Sequence, residues 1–309
     1  MVFITSFQSH ILGAVAALLS AFCWAVAAIL FRRIGDHVPA MGINLAKGLV
    51  AMLFMAVLLL PGFYSSLALV DANSLAALAL SGIIGICFGD TLYFLTLMRL
   101  GARRTLLLGS LIPVTTAFIA VVFLGEQISA LAWFGMSLAI VGVTYVLWQR
   151  APQENTQQQS REKYRSGLFF GLLFVAANAL GIIATKVGVA DIPALEATFV
   201  RQVFAIAGLT FWGLMVRDLL GWVSPLRNGK RLKTLLAASL IGALLGTWLS
   251  IVALKYTYAA VAATLNSTSP LFILPLAVFW LKEHVTLREI IGALTAVAGI
   301  GLYFSSLSL

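Results

Sequence analysis

The sequence predicts an all-α polytopic membrane protein, with ten transmembrane helices arranged as two inverted five-helix repeats. Three observations carry that expectation. First, 61% of the 309 residues are hydrophobic and only 10% are charged, with a mean hydropathy of +1.02. A water-soluble interior grows too slowly with chain length to hide so much apolar surface. Second, the apolar residues fall into ten runs of roughly 20 residues, the length that spans a hydrocarbon core. Third, the chain repeats itself. Gly85, Gly89, Ser110, Pro113, Glu126, Gly135 and Gly142 recur as Gly242, Gly246, Ser267, Pro270, Glu283, Gly292 and Gly299, all at an offset of 157. So many identities at one spacing, across three successive apolar runs, mark a tandem duplication.

The first run, 11–31, is too long for a signal-peptide core. Its positive charges, Arg32 and Arg33, follow it, so it is expected to stay as a membrane helix. Nine further spans are expected at 40–60, 74–98, 105–124, 128–148, 166–186, 194–216, 234–254, 259–281 and 286–306. Pro39 and Pro193 stand where two of them begin, a position at which a missing N–H costs least. Between the repeats 1–148 and 166–309, the polar stretch 149–165 has the composition of a flexible linker. The other long connector, 217–233, is basic, carries Leu220 and Trp222, and suits the membrane interface. Cys23 and Cys87 lie mid-span and suit packing better than a disulfide framework.

The formal charge of +9 does not indicate a nucleic-acid partner, because the basic residues sit in short connectors between apolar runs. The connectors after spans 1, 3, 5, 7 and 9 hold 16 Lys and Arg, whereas the opposite side has only Lys186 and Lys255. The positive-inside rule puts the basic side in the cytoplasm and both termini outside it, across a cell inner (plasma) membrane. Five spans per half is an odd number, so the second half enters the membrane upside down relative to the first. Inverted repeats of this kind suit alternating access to a site near the midplane.

The string Gly89-Asp90-Thr91-Leu92-Tyr93-Phe94-Leu95, and Pro113 followed by Glu126, resemble the EamA-type branch of the drug/metabolite transporter superfamily. The second copy, Asn266-Ser267-Thr268-Ser269-Pro270 through Trp280-Leu281-Lys282-Glu283, fits the same pattern. The resemblance covers the chain apart from the linker. It implies a carrier of small organic solutes, often an exporter of amino acids or related metabolites. It also implies that the first four helices of each half wall a central cavity. Members are often drawn with cytoplasmic termini, which the charge count of this chain opposes.

Three charges lie well inside the spans: Lys47, Asp90 and Arg201. Each costs at least ~2.5 kcal/mol at the bilayer centre, so a lipid-facing placement is disfavoured and a functional site is the default. Lys47 and Arg201 are repeat equivalents, at the offset of 154 that also separates Pro39 from Pro193. Lys47 lies ~12 Å and Asp90 ~13 Å from the cytoplasmic face at ~1.5 Å per residue. They are expected to pair, as a coupling or gating element. The equivalent of Asp90 is Thr247, which leaves Arg201 without that partner. A guanidinium stays charged and needs an anion, and the carboxylate of a substrate is the sharp expectation; bonds to backbone carbonyls are the plain one. Thr247, Asn266 and Ser267 are candidates to complete that grip. Asn178, a primary amide in hydrocarbon at the position of Trp24, is a candidate to read the rest of the solute. Tyr93 and Trp24 are aromatic candidates for the same site, with packing as the competing role for them and for Trp248. Pro113 and Pro270 are expected helix breaks, the second beside the polar run 264–269. The ridges Gly82, Gly85, Gly89 and Ser239, Gly242, Gly246 suit close helix packing. Glu126 and Glu283, at span ends, suit helix-start capping.

No enzyme is expected. Asp90 is the one mid-membrane aspartate, whereas an intramembrane aspartyl protease needs two, and His10, His37 and His284 form no zinc motif. Neither a nucleophile elbow nor a phosphate-cradling loop is present, and no cofactor or metal is implied. No filter-like loop indicates a channel. The expected function is a secondary active transporter, an exporter of a small organic metabolite such as an amino acid, working by alternating access. Proton coupling stays open, as does monomer against homodimer. A passive facilitator or uptake permease is the alternative, ahead of a multidrug efflux carrier. The partners are therefore the solute and the lipid bilayer.

Overall fold

A computed structural model describes residues 2–59, 71–124, 129–147, 157–188, 194–256, 265–282 and 285–305, and among them the ordered elements are all helical. The α-helices are α1 (Val2–Ile34), α2 (Ala40–Leu59), α3 (Ala72–Ser81), α4 (Thr91–Leu100), α5 (Ala102–Gly109), α6 (Ile112–Leu124) and α7 (Ala130–Leu147) in the first half. The second half supplies α8 (Gln157–Gly188), α9 (Ala194–Met215), α10 (Leu219–Val223), α11 (Gly229–Ala238), α12 (Thr247–Tyr256), α13 (Ser269–Leu276) and α14 (Leu287–Ser305). By length and composition, six helical stretches can cross a membrane: Ile11–Ile34, Ala40–Leu59, Ala72–Leu100, Arg161–Thr185, Leu195–Met215 and Gly229–Ser250. Trp133–Val146 and Ser269–Trp280 are shorter apolar helices.

Local chemistry sets the ends. Asp71 caps α3 by accepting from the Ser74 amide at 3.0 Å, and Asn228 caps α11 through the amides of Lys230 and Arg231. Gly101, at φ 80°, turns the chain between α4 and α5, a conformation that costs glycine little. Thr286 and Glu289 form a capping box at the start of α14.

Besides a 3-10 turn at Ser224–Arg227 and a short π-helical end at Ala277–Leu281, two features that recur in both halves depart from regular helix. Gly82–Asp90 joins α3 to α4 as π-helix, and Ser239–Gly246 joins α11 to α12 in the same way. The two stretches begin 157 residues apart, at the two small-residue ridges. Pro113 and Pro270 each sit in the first turn of a helix that restarts after an interruption, at Ser110–Leu111 and at Ser267–Thr268. In both places the break precedes the proline, where the absent N–H is harmless. Helix also extends back through 157–165, into the stretch expected to be a linker. Pro193, Glu126, Glu283 and His284 lie outside the described residues.

Equivalent parts of the two halves make equivalent contacts, each with the other half. A methyl placed on Gly85 would lie 3.2 Å from Cα of Gly181 in α8, and one on Gly242 would lie 2.6 Å from Cβ of Ala27 in α1. Likewise Gly89 abuts Asn178, and Gly246 abuts Trp24. Two hydroxyls that are not repeat equivalents also join the halves: Ser81 donates to Gly181 O at 2.7 Å, and Ser20 donates to Gly246 O at 2.8 Å. In α7 and α14, Gly142 faces Gly292 while Gly135 faces Gly299, so these helices run antiparallel. Gly48 of α2 meets its own equivalent, Gln202 of α9. At these glycine contacts residue i meets j′ while j meets i′.

Contacts also gather the basic connectors at one end of the molecule. Arg33 donates to Trp280 O (3.3 Å), and Arg103 pairs with Glu289 (2.8 Å). Arg99 and Arg104 lie over the rings of Phe170 and Tyr164, and the Trp222 carbonyl presses against Gly42. Trp222 is thus buried under α2 and does not face lipid, whereas Leu220 beside it is 77% exposed. Cys23 and Cys87 are both buried, as packing residues would be.

Candidate functional site

The three mid-span charges meet where α2 and α9 cross the first π-helical stretch. Lys47, on α2, forms an ion pair with Asp90, the last residue of that stretch. The two side chains are 13% and 24% exposed, and the Lys47 ammonium also lies 5.6 Å from the centre of the Phe94 ring. One helical turn before Lys47, Asn44 is completely buried and reaches the same backbone. Its amide donates to Ile86 O (2.9 Å), Cys87 O (3.3 Å) and the Thr91 hydroxyl (3.0 Å). The Thr91 hydroxyl in turn donates to Cys87 O at 2.6 Å. Carbonyls loosened by the wide π turn are thereby satisfied from α2, and the backbone that carries Asp90 is held in place. Asn44 escaped the sequence reading. Its signal was present: an amide in hydrocarbon, three residues before Lys47 and therefore on the same helical face.

Arg201 enters from α9. Its carbonyl oxygen lies 2.2 Å from where a methyl on Gly82 would sit, and its Nη2 lies 3.6 Å from the same point on Gly85. Only a glycine ridge lets α9 come so close. The charge of Asp90 acts on Arg201, yet the two form no ion pair. Arg201 makes no hydrogen bond among the described residues, and its Nε is buried without a partner. Glu196, in the first turn of α9, forms no ion pair with it either. Next in sequence, Gln202 is buried with Nε2 equally unpartnered. Among the described residues these are the buried side-chain N–H groups that lack an acceptor.

The remaining candidates divide. Asn178 abuts Gly89, one residue from Asp90, but its amide already donates to Phe174 O at 3.1 Å. Tyr93 lies within the field of Asp90, and its ring packs on Phe94 and Phe174 at 5.1 and 5.3 Å. Trp24 packs on Gly242 and Gly246, beside Thr247 but in the other half's equivalent place. Asn266 and Ser267 lie at the helix break before Pro270, where Asn266 Oδ1 is buried without a partner. Thr247 and Asn266 make no bond to Arg201. Trp248 is 58% exposed and faces outward.

A separate small cleft lies under Pro270, lined by Arg103, Arg104, Leu107, Leu274 and Glu289 among others. The Arg103–Glu289 ion pair joins the two halves across it. Glu289 Oε2 also accepts from the Thr286 amide at 2.9 Å, which helps to orient the carboxylate towards Arg103.

Comparison with known proteins gives the family. An uncharacterized transporter of Archaeoglobus fulgidus is 26% identical over 284 residues, covering 92% of this chain and 95% of the relative. A protein of known crystal structure superposes with a TM-score of 0.64 at 16% identity, covering 96% of each chain, a likeness that concerns the fold alone. The sequence profile of the EamA-like transporter family matches twice, at residues 11–148 and 165–305. With both halves matched, this multi-pass membrane protein belongs to the EamA-like transporter family.

Proposed function

We propose that the chain is a secondary transporter which exports a small organic solute bearing a carboxylate, such as an amino acid or a related metabolite. It works by alternating access across the cell inner membrane. The observation that carries this reading is Arg201: a guanidinium inside the membrane, at the meeting of both halves, whose Nε has no acceptor. A charged donor left unpaired in a low-dielectric interior is costly, and a solute carboxylate matches the planar fork. The reciprocal contacts of Gly85 with Gly181 and of Gly242 with Ala27 support two inverted five-helix repeats, 1–148 and 166–309, that rock against each other. Lys47 and Asp90 act as the gating pair of that site, and Asn178 flanks it.

Reconstitution in liposomes with a counterflow screen of amino acids, purines and cationic drugs tests this directly. Accumulation of a carboxylate-bearing class is expected; accumulation of the cationic drugs alone would overturn the assignment. Alkaline phosphatase fused after Leu309 should be active, as both termini are placed outside the cytoplasm.

A further inference from the structure

The transporter reading sets a charge count at the site, and the count restricts how the carrier can cycle. Lys47 and Asp90 cancel in their ion pair. Arg201 does not: it cannot shed its proton, and among the described residues it forms no ion pair. The empty site therefore holds one surplus positive charge. The adjacent buried donor of Gln202 also lacks an acceptor, so what is missing is an acceptor and a negative charge, not a cation.

We infer that the solute must bring one net negative charge, which narrows the carboxylates proposed above to monoanions and leaves out the neutral amino acids, and that the carrier reorients only with that solute aboard. The protein is then an obligate exchanger of monoanions. Occluding the empty site would bury an uncompensated ion, which costs several kcal/mol, more than the ~1.4 kcal/mol that corresponds to a tenfold change. A bound monocarboxylate brings the site to neutrality and removes that barrier. A zwitterion would occupy Arg201 with its carboxylate yet leave the surplus in place, because Lys47 already holds Asp90. Cations would raise it further. Exchange of one monoanion for another moves no net charge, so its rate does not follow the membrane potential.

This inference rests on the transporter reading, and the test separates the two. Proteoliposomes of the full chain are loaded with radiolabelled pyruvate, N-acetyl-L-alanine or 4-hydroxybenzoate. Efflux is timed into buffer with and without the same unlabelled anion outside, and L-alanine and L-alaninamide serve as the zwitterion and the cation. At least one monoanion should leave at least about tenfold faster when the same anion is outside, with no response to a potential imposed by valinomycin. Arg201→Lys keeps the charge and should keep that ratio at weaker affinity. Arg201→Gln removes the surplus charge, and the ratio should fall to near one. The inference is overturned by wild-type net efflux as fast as exchange, or by stimulation that survives in Arg201→Gln. Movement of L-alanine or L-alaninamide without any of the anions sinks the exchange mode while leaving a transporter. If no solute moves here or in the wider screen, both readings fall.

Discussion

Replacing Asp90 with Asn removes the ion-pair partner of Lys47 from the π-helical stretch against which Arg201 also packs. Lys47 loses its ion-pair partner, and Arg201 loses the nearby negative charge that acts on it. Both side chains of the pair are less than one-quarter exposed, so solvent screens the loss only in part. Breaking a buried pair from one side costs ~3–5 kcal/mol, and partial exposure favours the lower end, about 3 kcal/mol. Lys47→Met is a different perturbation, because Asp90 then still has Arg201 close by. It should cost about 1 kcal/mol, including the contact with the Phe94 ring. The nearness of Arg201 makes the two single losses unequal. The double variant leaves no orphaned ammonium at position 47 and restores the wild-type net charge beside Arg201, so it should recover most of what Asp90→Asn loses, to within ~1 kcal/mol of Lys47→Met. Equilibrium unfolding in mixed micelles measures all three. Equal single losses, or losses that add, would refute the three-charge account.

Asn44→Ala strips the donors from the Ile86 and Cys87 carbonyls and should cost about 1–3 kcal/mol in the same assay, with Asn44→Asp no better because a carboxylate cannot donate to them. Gly299→Val should be worse, at roughly 3 kcal/mol or more: a methyl there already lies 2.4 Å from the Ala139 backbone N, and α7 cannot yield as a side chain would. Asp71, outside the spans, is held below the usual carboxylate range by its side-chain bond with Ser74. A depressed acid stabilises above its unfolded pKa of ~3.9, and that support is lost as pH falls through the folded value. Protection of the Ser74 amide, its exchange relative to the intrinsic rate at each pH, should therefore fall below about pH 4, and it should not do so in Asp71→Asn, which still caps the helix.

Much of the architecture was legible because it depends on spacing. The glycine ridges at Gly82–Gly89 and Ser239–Gly246 announced close approach, and each does receive a helix from the other half. The Lys47–Asp90 pair could be anticipated from depth, since two opposite charges in hydrocarbon at one level have few other partners. What stayed hidden depends on local backbone geometry or on facing direction. No residue pattern announces that Gly82–Asp90 winds as π-helix, so the carbonyls that Asn44 serves could not be foreseen. Aromatic identity does not say which way a ring points: Tyr93 packs on Phe174, and Trp24 covers Gly242 and Gly246. Arg103 and Glu289 are 186 residues apart, and nothing in either local sequence names the other. The interruption near each proline falls before it, at Ser110–Leu111 and Ser267–Thr268, because proline opens the new helix.

The central claim is that Arg201 holds the carboxylate of the transported solute, and counterflow with Arg201→Lys in proteoliposomes tests it most directly. Lysine keeps the charge but loses the fork that grips two oxygens. Normally inserted Arg201→Lys protein should need roughly tenfold or more solute for half-saturation, the loss expected when one charge-assisted hydrogen bond of ~1.5–3 kcal/mol disappears. An unchanged half-saturating concentration, or a transported solute with no anionic group, would contradict the account.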